Sequence, residues 1–192
     1  HQLKWGAPVL GAGATVSYAI VASDVHSPGA RNCAGIGPIA GLLARSGLDA
    51  GAVARELDAA FRSWERVADI RFVQGRPADA DILIGAQAMQ RRIAFANVWF
   101  DIAAAEDGVA SLTQATICFN PVLAWGLGAA APGGHGNDFG TVLAHEIGHA
   151  IGLDHPGATG SLMGYQNQGD IDALMPGDIA GAITLYGALP AK

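Results

Sequence analysis

The stretch GTVLAHEIGHAIGLDH, Gly140 to His155, decides how the rest of the chain is read. Val142, Leu143, Ile147, Ala150 and Ile151 supply the apolar positions of a helix expected from Gly140 to Leu153. Inside it, HEIGH, His145 to His149, is an instance of H-E-x-x-H. Residues four apart share one helix face, so both imidazoles can reach a single metal ion. Glu146, one step on from His145, points its carboxylate toward the remaining coordination space, where water would sit. Gly152 follows three after His149 and His155 three after that, which extends the pattern to H-E-x-x-H-x-x-G-x-x-H. A glycine can take the left-handed conformation that ends a helix, so Gly152 lets the chain turn back and bring His155 to the metal. Pro156 blocks continuation of the helix. Three neutral imidazoles with a water match an open tetrahedral zinc site, whereas a closed structural site needs a fourth protein ligand. The reading is one catalytic Zn2+ on His145, His149 and His155, with Glu146 as general base.

Upstream, Thr15 to Val21 alternates Val16, Tyr18 and Ile20 against smaller or polar neighbours, the period of a half-buried strand. Ala22 to Gly47 is dense in Gly and Pro and reads as a connection with at most a short helical turn. From Leu48 to Ala68, Val53, Leu57, Ala60, Phe61, Trp64 and Val67 recur at helical steps, and Arg55, Glu56, Asp58, Arg62 and Glu65 fill the other face. That is a long amphipathic helix whose Phe61 and Trp64 belong to the core. Short strand-like runs follow at Ile70 to Val73, Asp81 to Ile84, Ala94 to Phe100 and Gln114 to Phe119. A strand, a long helix and further strands imply an α+β fold, a mixed sheet with the helix on one face.

Length and charge narrow the function classes. A chain of 192 residues suits one domain and buries a core without staples. Its net charge of -6 comes without a run of Lys or Arg, which argues against nucleic acid or an anionic membrane surface as partner. The longest weakly polar stretch, Pro121 to Gly134, is broken by Gly and Pro and falls short of the roughly 20 apolar residues of a membrane span. His1 to Trp5 lack the pattern of a secretory signal, which fits a cytoplasmic protein or a trimmed mature form equally. Cys33 and Cys118 allow one disulfide in an exported protein and would stay thiols in the cytosol.

The long histidine pattern resembles that of the metzincin clan of zinc peptidases, whose members follow it with a turn containing a methionine beneath the metal. Met163, in SLMGY eight residues beyond His155, fits that turn. AFRSWERVADIRFV from Ala60 resembles the long helix and following strand of matrixin and serralysin catalytic domains, and ICFNP, Ile117 to Pro121, resembles a matrixin strand. PGDIAGAITLYG, Pro176 to Gly187, is similar to their C-terminal helix, with Asp178 in its acidic first turn. The resemblance implies a metzincin-like zincin fold: a mixed, mostly parallel twisted sheet, two long helices and a C-terminal helix. It implies one catalytic domain over 1–192, with an upper subdomain over about 1–152 and a lower one over about 153–192.

The same resemblance implies a secreted or extracellular, monomeric zinc endopeptidase acting on protein or peptide substrates. Glu146 would take a proton from the zinc-bound water during attack and pass it to the leaving amine. Substrate would lie extended along an edge strand near Ala94 to Phe100. Tyr165, two after Met163, occupies the place where serralysins and astacins set a tyrosine near zinc, which implies a role in metal ligation or in stabilising the tetrahedral intermediate. Outside the motif only His1, His26 and His135 remain, so a second histidine-rich zinc site is not expected. GGHGND, Gly133 to Asp138, resembles one copy of a calcium-binding repeat; as a single copy it reads as a loop with His135 and Asp138 solvated, and a bound Ca2+ there stays the alternative. Cys33 sits in RNCAGIG, which does not resemble the matrixin cysteine-switch motif. Two other functions remain open: a zinc hydrolase of a non-peptide amide, which keeps every residue role, and a silent zinc-bearing binding module, against which the presence of Glu146 counts.

Overall fold

Asp49 opens the long helix by accepting a hydrogen bond from the Ala52 N–H at 2.8 Å, a side-chain cap on one of the orphan donors at a helix start. The helix runs Ala50–Glu65 and turns Val53, Leu57, Ala60, Phe61 and Trp64 inward, as their spacing requires. In the computed structural model, described over residues 1–90, 92–128, 131, 137–157, 160–164 and 171–190, the chain runs in order through twelve elements. These are β1 (Gln2–Lys4), β2 (Ala14–Ile20), β3 (Val25–His26), β4 (Gly35–Ile36), α1 (Ala40–Ser46), α2 (Ala50–Glu65), β5 (Ile70–Gln74), β6 (Ile82–Ala86), β7 (Ala94–Glu106), β8 (Val109–Phe119), α3 (Phe139–Ala150) and α4 (Pro176–Tyr186).

The main sheet has the order β1-β8-β6-β2-β5, with β7 alongside β8. Every pairing in it is parallel except β7 with β8, so the fold is α+β around a mostly parallel sheet, as the sequence implies. Strands β2, β6 and β8 align Ile20 with Ile84 and Ile84 with Ile117. Their apolar side chains meet α2 and α3 in one core containing Phe61, Trp64, Phe119, Phe139 and Ile147. Phe61 and Trp64 are core residues, Trp64 donating its indole N–H to the Ala144 carbonyl of α3 at 3.0 Å. That bond joins the two long helices one residue before His145.

Four features depart from the sequence reading. The segment from Ala22 to Gly47 is more than connection: it holds the β3–β4 pair and the helix α1, which Gly47 ends in the left-handed conformation at φ 65°. The runs at Ala94 and Gln114 are the open-end halves of one long hairpin, turned at Asp107 and Gly108 with φ 46° and 79°. Asp-Gly is the residue pair that such a two-residue turn favours, and the alanines of Ile102 to Ala105 hide the strand beside it. β1 is too short to show a period, yet it seats the first residues against the far end of α3. There Trp5 donates its indole N–H to Ala150 O at 2.8 Å and its backbone N–H to the Tyr186 hydroxyl at 3.0 Å. Lys4 is fully buried beside it, its ammonium bonded to the carbonyls of Trp5 and Ala7 and lying 5.2 Å from the Tyr186 ring centroid; burial lowers its pKa.

Cys33 and Cys118 form a disulfide across 85 residues, tying the loop before β4 to the C-terminal end of β8. A cross-link closing so long a segment restricts the unfolded chain strongly. Replacing both cysteines with alanine is expected to lower the unfolding free energy by about 2–4 kcal/mol, measured as a reduced urea midpoint with a slope that rises as the unfolded chain expands.

Candidate metal centre

Asp138 begins the helix that carries the histidines. One of its carboxylate oxygens accepts from the Thr141 N–H at 3.0 Å and the Thr141 hydroxyl at 2.5 Å, and the other accepts from the Gly128 N–H at 2.5 Å. It is buried, which corrects the expectation of a solvated side chain: an N-cap is too useful to the four orphan N–H groups of a buried helix to be left in water. His135 and the rest of Gly133 to Gly136 lie outside the described residues, and with them most of the loop on which a calcium ion was an alternative. α3 itself is buried on nearly all sides, so its one polar stripe, His145, Glu146 and His149, faces a walled cleft.

The three imidazoles converge. His149 Nε2 lies 3.1 Å from His145 Nε2 and 3.2 Å from His155 Nε2. Tetrahedral zinc with Zn–N bonds of about 2.0–2.1 Å sets its ligand nitrogens roughly 3.3 Å apart, close to these two separations, and the ligand atoms of all three histidines lie within 4.8 Å of one another. The opposite ring nitrogens say which lone pairs are available. His145 Nδ1 lies 2.7 Å from the Leu162 carbonyl and His149 Nδ1 lies 2.8 Å from the Leu153 carbonyl. A carbonyl only accepts, so both Nδ1 atoms carry the proton and both Nε2 atoms present lone pairs to each other. Such lone pairs repel unless a cation lies between them. Burial holds the pKa of His145 below its ordinary value and that of His149 down to about 4, which keeps the rings neutral as metal binding demands. The cluster of His145, His149 and His155 fits a zinc site.

Backbone geometry delivers the third histidine. Gly152 has φ 99°, and the Leu153 N–H bonds the Gly148 carbonyl at 2.9 Å, closing the helix in a left-handed turn that sends Asp154 and His155 back over the cleft. A second reason for glycine comes from far away in sequence: a methyl group on Gly152 would overlap the Leu3 carbonyl of β1. Gly148, between the two helical histidines, likewise leaves room for the Met163 side chain and the Trp64 ring. Asp178 does more than answer a helix dipole. It accepts from the Ser161 hydroxyl (2.5 Å) and from the N–H groups of Leu162 (2.9 Å), Met163 (3.1 Å) and Met175 (2.8 Å), and so holds the segment whose Leu162 carbonyl orients His145. Tyr165 lies outside the described residues.

Glu146 is buried in the same cleft, and desolvation pushes its carboxyl pKa up to about 8, against a weaker opposing pull from the Ala96 backbone N–H. Ala96 belongs to β7, where the neighbouring Ile93 carbonyl accepts from Asn120 next to β8 while the Ala96 N–H turns to Glu146. Alternation along the strand therefore leaves Ala94, Ala96 and Val98 on its open side, and all three line the cleft of about 820 Å³. Arg31, Asn32 and Arg92 line it too, residues that the sequence reading left in a connection or passed over. Nothing local in the sequence marks Arg31, because the loop reaches the cleft only through the disulfide and the hydrogen bonds that follow it.

Two outcomes are expected. In chelator-treated protein the native Glu146 holds a proton that the unfolded chain releases between the ordinary pKa of 4.5 and about 8, so stability is lost as pH rises through that window. Glu146→Gln, which carries no such charge, should raise the Tm of the metal-free protein at pH 8 by several degrees, a gain that shrinks to nothing as pH falls to 4.5. Gly152→Ala should cost at least about 2 kcal/mol and reduce the zinc content after dialysis, read by atomic absorption, because the turn to His155 and the seat of β1 fail together.

The sequence profile of the matrixin family matches residues 43–187, a span that takes in α2, strands β5 to β8, the histidine cluster and α4. Comparison with curated proteins returns no match. With the profile covering most of the chain and the three histidines spaced for zinc, the chain belongs to the matrixin family of zinc-dependent metallopeptidases.

Proposed function

We propose that this chain is an endopeptidase that cuts extended segments of protein substrates, with His145, His149 and His155 as zinc ligands and Glu146 as general base. The observation that carries the reading is the shared cleft: a buried carboxyl, three converging imidazoles and the open edge of β7 face one another. Bound there, zinc would supply Lewis acidity toward a carbonyl oxygen and toward water, and a positive charge that draws the Glu146 carboxyl back to its ionised form. Glu146 then takes the proton of the attacking water and hands it to the departing amine nitrogen, two transfers from one carboxylate. The outward-facing backbone groups of Ala94 and Val98, with the Ala96 carbonyl between them, pair with the substrate backbone as an added strand, which favours a peptide over a small amide. Met163 serves as the methionine turn under the metal, and Tyr165, by its spacing from Met163, donates to the developing oxyanion. The disulfide supports export to an oxidising compartment.

The test is hydrolysis of casein by the zinc-loaded chain and by Glu146→Ala, with zinc content measured on both and a chelator control. Loss of at least about 10²-fold in kcat with zinc retained is the expected result. Activity on small amides but none on casein would overturn the peptidase reading in favour of a non-peptide hydrolase. A second arm uses peptides N-methylated at the residues facing β7; cleavage at an unchanged rate would remove the strand-addition step.

A further inference from the structure

Among the described residues two arginines, Arg31 and Arg92, line the cleft, in a chain whose net charge is -6. Each is held there by devices that an incidental surface residue lacks. The N–H groups of Arg31 and Asn32 both donate to the Asn97 side-chain carbonyl, at 3.1 and 3.3 Å, and the next residue, Cys33, is bonded to Cys118, which lies opposite Phe95 in the β7–β8 register. The Arg92 carbonyl accepts from the side-chain amide of buried Asn120 at 2.8 Å, and its guanidinium lies 5.7 Å from the Phe95 ring centroid. Among the described residues no carboxylate lies within ion-pairing distance of either guanidinium. Apart from Glu146, the described lining residues include one carboxylate, Asp154, and it is turned to its neighbour, accepting from the His155 N–H at 2.7 Å.

The placement along β7 gives these charges a register. Glu146 meets the strand at Ala96, so the bond to be cut lies near that point. Arg31 is fastened through its backbone one residue further on, at Asn97, and Arg92 lies four residues back, just before the strand begins. An extended peptide added to this edge would thus run past both arginines, whose chain anchors lie on either side of Ala96 and which both line the cleft. We propose that Arg31 and Arg92 select acidic substrates, binding Asp or Glu side chains that flank the cleaved bond within about four residues; this rests on the peptidase reading above. Both sites are solvent-exposed, so each ion pair contributes modestly and weakens with salt.

The experiment compares fluorogenic peptides that share an apolar cleavage site and differ only in Glu, Gln or Lys at the flanking positions. The zinc-loaded wild type is expected to favour the Glu peptide over the Gln peptide about five- to tenfold in kcat/KM, mostly through KM, and to lose the preference in about 0.5 M salt. Arg31→Ala with Arg92→Ala should bring the Glu-to-Gln ratio to about one, and Arg31→Glu with Arg92→Glu should move the preference to the Lys peptide. Equal cleavage of Glu and Gln peptides by the wild type, or a preference that survives the double alanine variant, would overturn the proposal. Fluorescence anisotropy of the same peptides on zinc-loaded Glu146→Gln separates the two readings. If the wild type cuts no peptide, the peptidase reading falls; a Glu-over-Gln binding ratio lost in the arginine variants then still supports the charge preference, and its absence refutes it.

Discussion

The Nε2 of His149 is held about 3 Å from the Nε2 of both His145 and His155, and with the His145 and His149 protons turned outward the cluster repels itself until a cation enters. Much of the structure near the cleft exists to impose it. The Leu162 and Leu153 carbonyls fix the rings of His145 and His149, and the carbonyl-bearing segments are themselves fixed, one by the three bonds that Ser161, Leu162 and Met163 donate to Asp178 and the other by the turn at Gly152. Burial of α3 keeps both rings neutral by making protonation costly. A site assembled this way is strained when empty and relaxed when filled, so metal binding and folding share one free energy.

The same burial acts oppositely on Glu146. Desolvation that keeps a histidine neutral also protonates an isolated carboxyl, so the group destabilises the native state at neutral pH without a cation nearby. That the fold tolerates it locates the compensation in the large apolar core beneath, where α2 and α3 meet the sheet through Phe61, Trp64, Phe119, Phe139 and Ile147. Stability is gathered on one side of α3 and expended on the other, the usual division between a rigid scaffold and a reactive cleft.

Long-range ties decide what else reaches the cleft. β1 presses the Leu3 carbonyl against Gly152, so residues far apart in sequence meet at the turn between the second and third histidines. The disulfide and Asn97 bring the loop holding Arg31 onto β7, and Asn120 sets the residues that lead into that strand. A hairpin of β7 and β8 offers the open edge, and it is closed by Asp107 and Gly108 far from the chemistry.

The sequence by itself determined the histidine pattern, the adjacent carboxylate, the glycine turn, the long amphipathic helix and the mixed α+β order, because each is written in spacings of eleven to twenty-one residues that follow helix and strand periods. It misjudged Asp138, since a cap and a solvated loop aspartate look alike until the helix start is placed, and it saw β1, the hairpin turn and Lys4 poorly or not at all. Only the tertiary structure decided that Asp178 holds the segment behind His145, that Leu3 crowds Gly152, and that Arg31 and Arg92 share a rim with the metal centre. Those contacts join residues separated by many tens of positions or belong to loops without a period. Local pattern carries no information about them; packing and hydrogen bonding across the folded chain create them.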